Sequence, residues 1–271
     1  MKIFISADIE GVAGVVHGDH CGPAGGVEYQ RARHWMTMEA NAAAEGFLEA
    51  GASGVMINDS HGGMRNILIE ELHPDVELIT GSPKPMVMME GISSEFDAVA
   101  FIGYHARMGS IGILSHTISG GAVAEVKVNG RVLGEGGINA AIAAEYGLPV
   151  ILVAGDDACI AEAEQDYKPA VSVMTKRAIT RNSARSLTPQ KSAALIKEAA
   201  KQAYTRVSTT APFLQEHPCV VELRLLNSGL CDYAARLPGC VRLDPVTVQF
   251  TAPNFLEAFA GLRAMITLSS S

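Results

Sequence analysis

Acids and histidines recur along this 271-residue chain in a pattern suited to holding divalent metal. Asp8 and Glu10 follow an apolar opening segment, and Asp59 and His61 follow a second one. His105 comes directly after Phe101-Ile102-Gly103-Tyr104, and Asp156-Asp157 after Ile151–Ala154. Glu135 lies in Leu133-Gly134-Glu135-Gly136-Gly137, where flanking glycines permit close approach of another group. In Asp8-x-Glu10 an extended backbone turns both carboxylates to one face, where they repel unless a cation lies between them. Imidazole and carboxylate donors suit zinc, without excluding manganese or cobalt.

Each part has a plainer reading when taken alone. An acid at a loop start caps the next element, a histidine beyond a strand bonds to backbone, and a loop histidine is commonly solvated. Glu135 at a helix start is equally a cap or a ligand. Ser115-His116 has the composition of a nucleophile–base pair, but adjacent side chains on a strand face opposite ways. The run His17-Gly18-Asp19-His20-Cys21 reads as a wet surface loop. His34, His73 and His217 have no companion acids arranged as a site and read as structural or solvent-facing.

The elements that must position these groups come next. Lys2–Ala7 reads as a strand, Asp8–Gly26 as a glycine-rich loop, and 28–50 as a long helix closed by Gly51. Gly54–Asn58, Val76–Thr80 and Ala98–Gly103 read as strands, and Asn129-Gly130 as a type I′ hairpin turn. Gly136–Tyr146 reads as a helix, and Val150–Ala154 as a strand apolar enough for burial on both faces. Alternating strand and helix predicts an α/β fold, a three-layer core around a sheet, with ligands gathered at the strand C-terminal ends. Beyond about 166 the texture changes. A helix over 188–204, strands over 219–226 and 246–251, and an apolar helix over 253–268 predict a smaller C-terminal α+β portion. The expected division is a metal-binding catalytic portion over 1–165 and an α+β portion over 166–271, with a soft boundary that also allows one compact domain.

Composition excludes several classes. With 21 Lys+Arg against 29 Asp+Glu the formal net charge is −8, and no basic tract offers a nucleic-acid footprint. Hydrophobic content of 48% is too high for a disordered chain. No apolar run approaches the ~18–20 residues that span a bilayer. Met1–Gly11 reaches Asp8 and Glu10 too soon for a signal peptide, so a cytoplasmic protein is expected. The 5 cysteines are odd in number and lack CxxC spacing, which argues for reduced, packed thiols. Phosphate-cradling glycine motifs, HExxH and GxSxG are absent from the sequence.

Taken in order, several segments resemble the D-aminopeptidase family of dinuclear zinc peptidases (DppA-type, M55). They are Ser6-Ala7-Asp8-Ile9-Glu10-Gly11, Asn58-Asp59-Ser60-His61, Leu72-His73-Pro74, Gly81–Gly91, Gly103-Tyr104-His105-Ala106-Arg107, Ser115-His116, Gly134-Glu135 with Asn139, and Val153–Asp157. Thr247-Val248-Gln249-Phe250 also fits. The resemblance implies two zinc ions per chain held by Asp8, Glu10, His61, His105 and Glu135, with one carboxylate shared. It makes His116 the catalytic histidine, stabilising the oxyanion or handing a proton to the leaving amine, and Asp59 an orienting partner of a ligand histidine. It implies hydrolysis of the N-terminal amide bond of short, D-residue-containing peptides by metal-activated hydroxide, in a ring-shaped, decamer-like homo-oligomer. The Val15–Gly26 loop matches the family least clearly.

Two other readings compete. One keeps the two metals but hydrolyses phosphoesters. Against it, Arg107 is the only obvious basic residue within the motifs that carry the proposed ligands. The other is a non-catalytic metal- or small-ligand-binding module in which His116 has no chemical task.

Overall fold

The computed structural model describes residues 1–270. Its strands are β1 (Lys2–Ala7), β2 (Gly54–Asp59), β3 (Val76–Ile79), β4 (Ala98–Tyr104), β5 (Val123–Val128), β6 (Arg131–Val132), β7 (Val150–Asp156), β8 (Val171–Thr180), β9 (Ser183–Ser186), β10 (Cys219–Leu225), β11 (Val241–Asp244) and β12 (Thr247–Ala252). Its helices are α1 (Val27–Glu49), α2 (Glu135–Glu145), α3 (Asp157–Asp166), α4 (Pro189–Tyr204), α5 (Ser228–Ala234) and α6 (Phe255–Ser269).

The main sheet has seven strands in the order β3-β2-β1-β4-β7-β8-β9, parallel except for the β8–β9 edge hairpin. Chain order runs outward from β1 in both directions, which puts a topological switch point between β1 and β4. Alternation along β1 sets the layers. Ile3, Ile5 and Ala7 enter one apolar core with Ala40 and Phe47 of α1 and Ile196 and Ala200 of α4. Phe4 enters the other core, with Phe101, α2, α6 and the inner faces of β5 and β10. The second sheet, β11-β12-β10-β5-β6, is antiparallel. The α/β class and layered core expected from the alternation are what the chain forms. Both sheets draw strands from either side of position 165/166: β7 pairs with β8, and β5 pairs with β10.

Several elements follow local rules. α1 is alanine-rich and ends where Gly51 takes φ +99°, a conformation costly for other residues. Asn129 and Gly130 take φ of 48° and 78°, as a type I′ turn requires. Thr188 lies outside α4 and caps it, accepting from the Lys191 N–H. Asp156 does the same for α3, accepting from Cys159 N–H at 2.8 Å and also from Ile113 N–H. α3, α5, β8, β9 and β11 were not among the expected elements. In α3 the Asp156-Asp157 pair reads in sequence as strand-end acids, whereas in the fold Asp156 is a cap and Asp157 accepts from Ala178 N–H.

Candidate metal centre

Because β2, β1 and β4 are adjacent, their C-terminal ends deliver three polar segments to one place. Asp8 and Glu10 follow β1, His61 follows β2, and His105 follows β4. Gly103 allows this closeness. Its φ is +72°, and a Cβ there would lie 2.9 Å from the Asp8 carbonyl carbon, so no other residue lets the Asp8 loop rest on β4. Gly11 N–H seals the approach by donating to Gly103 O at 2.7 Å. Glu135 opens α2, and His116 lies in the loop from β4 to β5. Glu135 Oε1 accepts from Ile118 N–H at 2.6 Å, which fixes that loop beside the cluster.

Asp8, Glu10, His61, His116 and Glu135 line a cavity of about 320 Å³. His105 backs it, only 1% exposed, with Nε2 3.4 Å from Glu135 Oε1 and 3.6 Å from Asp8 Oδ2. All six expected site residues therefore converge.

Backbone carbonyls set the histidine tautomers. His105 Nδ1 lies 2.9 Å from Ala106 O, and His116 Nδ1 lies 2.9 Å from Leu114 O. A carbonyl only accepts, so both protons sit on Nδ1 and both Nε2 atoms turn toward Glu135. His61 is reversed: Nε2 donates to Cys21 O at 2.6 Å, and Nδ1 faces Asp8 Oδ1 at 3.2 Å and Glu10 Oε2 at 3.0 Å. Metal-binding histidines are held in this way, one nitrogen tied to backbone and the other presented to the ion.

Electrostatics reinforce the arrangement. Burial pushes Asp8 up to about 6, and the Glu10 charge adds to the effect. Burial also raises Glu10, but His61 outweighs it and holds that carboxyl well below its usual range. For Glu135 burial is overcome by His105, then His116, bringing it down to about 2. Burial lowers His61 and His105, yet Glu10 and Glu135 respectively hold them well above the ordinary imidazole range. Three buried carboxylates thus make the cluster demand positive charge at the nitrogens that face them.

A divalent cation fits. Glu10 Oε2 and His105 Nε2 are buried without a hydrogen-bond partner among the described residues. Donor atoms of Asp8, His105 and Glu135 lie within 4.8 Å of one another, as do those of Glu10, Cys21 and His61, and those of Glu10, His105 and His116. Nitrogen and carboxylate oxygen donors suit zinc. The Cys21 thiol is pushed up by burial and by Glu10, and Sγ donates to His17 O, which keeps it a thiol.

Other expectations resolve differently. Asp59 does not touch His61; it accepts from Asn66 N–H, Asn66 Nδ2 and Ile67 N–H, while Asn66 Nδ2 donates to His61 O. The ring of His61 is oriented by Cys21, so the Val15–Gly26 loop reaches the site through one carbonyl. Ser115 Oγ donates to Ser110 O, away from His116. Arg107 pairs with Glu162 and Asp166 rather than facing the cavity. His34 pairs with Glu71 and His217 with Glu145, both outside the centre. Lys84, Asn139 and Arg263 line the cavity, and of these Lys84 and Arg263 were not singled out as site residues from sequence. A cation in a connecting loop, as Lys84 is, or on a helix, as Arg263 is, carries no local mark of which cavity it faces.

An α/β sheet with carboxylates and tautomer-fixed histidines converging on a cavity at its switch point is the framework of a metal-dependent hydrolase. The family description of peptidase M55, D-aminopeptidase, matches residues 1–264, and the chain belongs to that family. It is 35% identical over 270 residues to a D-aminopeptidase of Bacillus subtilis (strain 168), covering 99% of this chain and 98% of that one. A solved structure described as the Zn-dependent D-aminopeptidase DppA from Bacillus subtilis, a self-compartmentalizing protease, superposes with TM-score 0.96 at 34% identity. The match covers 100% of this chain and 98% of that chain.

Proposed function

We propose that this chain is a zinc-dependent aminopeptidase that removes the N-terminal residue of short peptides, with a preference for D-residues. The observation that carries it is the set of three histidines held by carbonyls so that their free nitrogens face Asp8, Glu10 and Glu135. Asp8, Glu10, His61, His105 and Glu135 would hold two zinc ions. When bound there, the ions would supply the chemistry of acidifying water and polarising the scissile carbonyl.

The chain's own groups do the rest. His116, its Nδ1–H fixed on Leu114 O, presents Nε2 to the cavity, where it takes a proton from the attacking water and passes it to the leaving amine. Glu135 holds the His116 loop through Ile118 N–H, and so keeps Nε2 in place. Beneath them Asn139 Nδ2, Tyr104 OH, Ser6 Oγ and Ser60 Oγ form a buried hydrogen-bonded row that stiffens the cavity floor.

The assembly is a ring-shaped homo-oligomer of decamer-like size, supported by the self-compartmentalizing description of the solved relative. A cytoplasmic location accompanies this reading; no helix among the described residues is long and apolar enough to cross a membrane. Metal analysis of the purified protein together with a panel of D- and L-aminoacyl amides tests the proposal. Two zinc ions per chain and faster turnover of D-substrates are expected, and turnover that survives complete chelation overturns the metal mechanism.

A further inference from the structure

Among the described residues, Arg263 is the one lysine or arginine of the cavity wall whose donors carry neither a hydrogen bond nor an ion pair. It stands on α6 four residues after Phe259, so both project from the same helical face, and both line the cavity. Among the described residues its guanidinium has neither a hydrogen bond nor a carboxylate within 4.0 Å, although it is partly buried and feels the Glu135 charge. Buried arginines are ordinarily paired. Lys84, the other cation in the wall, is fully used: Nζ donates to Asn58 Oδ1 at 2.6 Å, Asp59 O at 2.7 Å and Ile79 O at 3.2 Å. An ammonium has three donors, so Lys84 has none left for a ligand.

We propose that Arg263 is the receptor for the free C-terminal carboxylate of the substrate, which makes this a peptidase of short peptides with an unblocked C-terminus. The inference rests on the aminopeptidase reading and names the substrate class of that same site. A free peptide carries an ammonium at one end and a carboxylate at the other. The cavity is charged to match, with Asp8, Glu10 and Glu135 at the metal centre and an unsatisfied guanidinium in the wall on α6. A planar guanidinium takes a carboxylate through two parallel hydrogen bonds. The volume of about 320 Å³ lies at the small end of ligand cavities, which suits a peptide of a few residues.

The test compares D-alanyl-glycine with its C-terminal carboxamide on the zinc-loaded enzyme. The acid should be preferred by about tenfold or more in kcat/KM, with the difference in KM, since hydrogen bonds to charged groups carry effects of that size. Arg263→Met should bring the ratio toward one, and Arg263→Lys should restore part of it. Equal turnover of acid and carboxamide by the parent enzyme, or an unchanged ratio in Arg263→Met, overturns the proposal while leaving the aminopeptidase reading intact. Calorimetry with the reduced-amide analogue of the dipeptide, as acid and as carboxamide, gives a readout independent of turnover. If neither peptide is hydrolysed, the aminopeptidase reading fails. Tighter binding of the acid analogue, lost in Arg263→Met, then still upholds the carboxylate receptor, and equal binding of the two analogues overturns it.

Discussion

The imidazoles of His105 and His116 are stacked, with ring centroids 4.2 Å apart and planes only 8° from parallel. Each donates Nδ1–H to a carbonyl two residues or fewer away, and each turns Nε2 toward Glu135 Oε1, at 3.4 and 3.7 Å. They differ in access. His105 has a side chain 1% exposed and His116 one that is 19% exposed, on the cavity side. This contrast supports the proposed division, in which the inner ring holds metal and the outer one exchanges a proton with substrate.

That division predicts the behaviour of His116→Ala. Zinc content should persist, because the five proposed ligands are untouched, while amide hydrolysis falls by about 10²–10⁴, the range of a lost general acid or base. Steady-state kinetics beside metal analysis of the same sample decide it. A variant as fast as its parent removes His116 from the chemistry.

Removing metal should abolish hydrolysis, and adding zinc back should restore it. Glu135→Gln should lose metal but keep the order of the His116 loop, since the amide no longer offers a charged metal ligand beside His105 while its Oε1 still accepts from Ile118 N–H. Full zinc occupancy in Glu135→Gln, measured by elemental analysis, contradicts its place among the ligands.

The convergence of Asp8, Glu10, His61 and His105 was legible because a parallel sheet brings consecutive strand ends to one edge, and acids and histidines just past apolar runs mark those ends. Asp156 marks the limit of this argument. It also follows an apolar strand, yet it caps α3, since an acid before a helix and an acid beside a metal look alike in one dimension. The orienting partner of His61 was illegible for another reason: it is the carbonyl of Cys21, and backbone groups leave no trace in residue type. Lys176 and Arg263 escaped notice because their burial depends on packing between distant elements, β8 against the Asp8 loop and α6 against the cavity.

Lys176 yields a stability prediction. It is 2% exposed, and Nζ donates to Glu10 O, Val12 O and Val15 O, at 2.5, 2.7 and 2.5 Å. Thr175 Oγ1 holds the intervening Gly11 O at 2.6 Å. One ammonium thus fixes the loop that presents Glu10. Lys176→Met leaves buried acceptors unpaired and should cost on the order of 3 kcal/mol, lowering Tm by about 6–12 °C in a chain of this size. Zinc affinity should fall with it. A parent-like Tm by calorimetry would remove this role.

Glu39 should make stability fall as pH rises from mildly acidic to neutral. The residue is fully buried in α1; Oε1 accepts from Ala13 N–H at 3.0 Å, and Oε2 has no aligned hydrogen-bond partner among the described residues. Burial pushes its carboxyl from 4.5 up to about 7, with the Ala13 N–H and the neighbouring Ser192 hydroxyl opposing. Between those values the native state keeps a proton that the unfolded chain has released, so the slope of unfolding free energy with pH is negative there. Stability from this group is full below about pH 4.5 and is lost through pH 7, on the order of 3 kcal/mol in all. Glu39→Gln mimics the protonated form, keeps the acceptor for Ala13 and supplies donors on the Oε2 side. Chemical unfolding at pH 5 and pH 8 should therefore show the variant near parity with the parent at the lower pH and more stable at the higher. A parent–variant difference that does not change between the two pH values shows that Glu39 stays ionised in the native state.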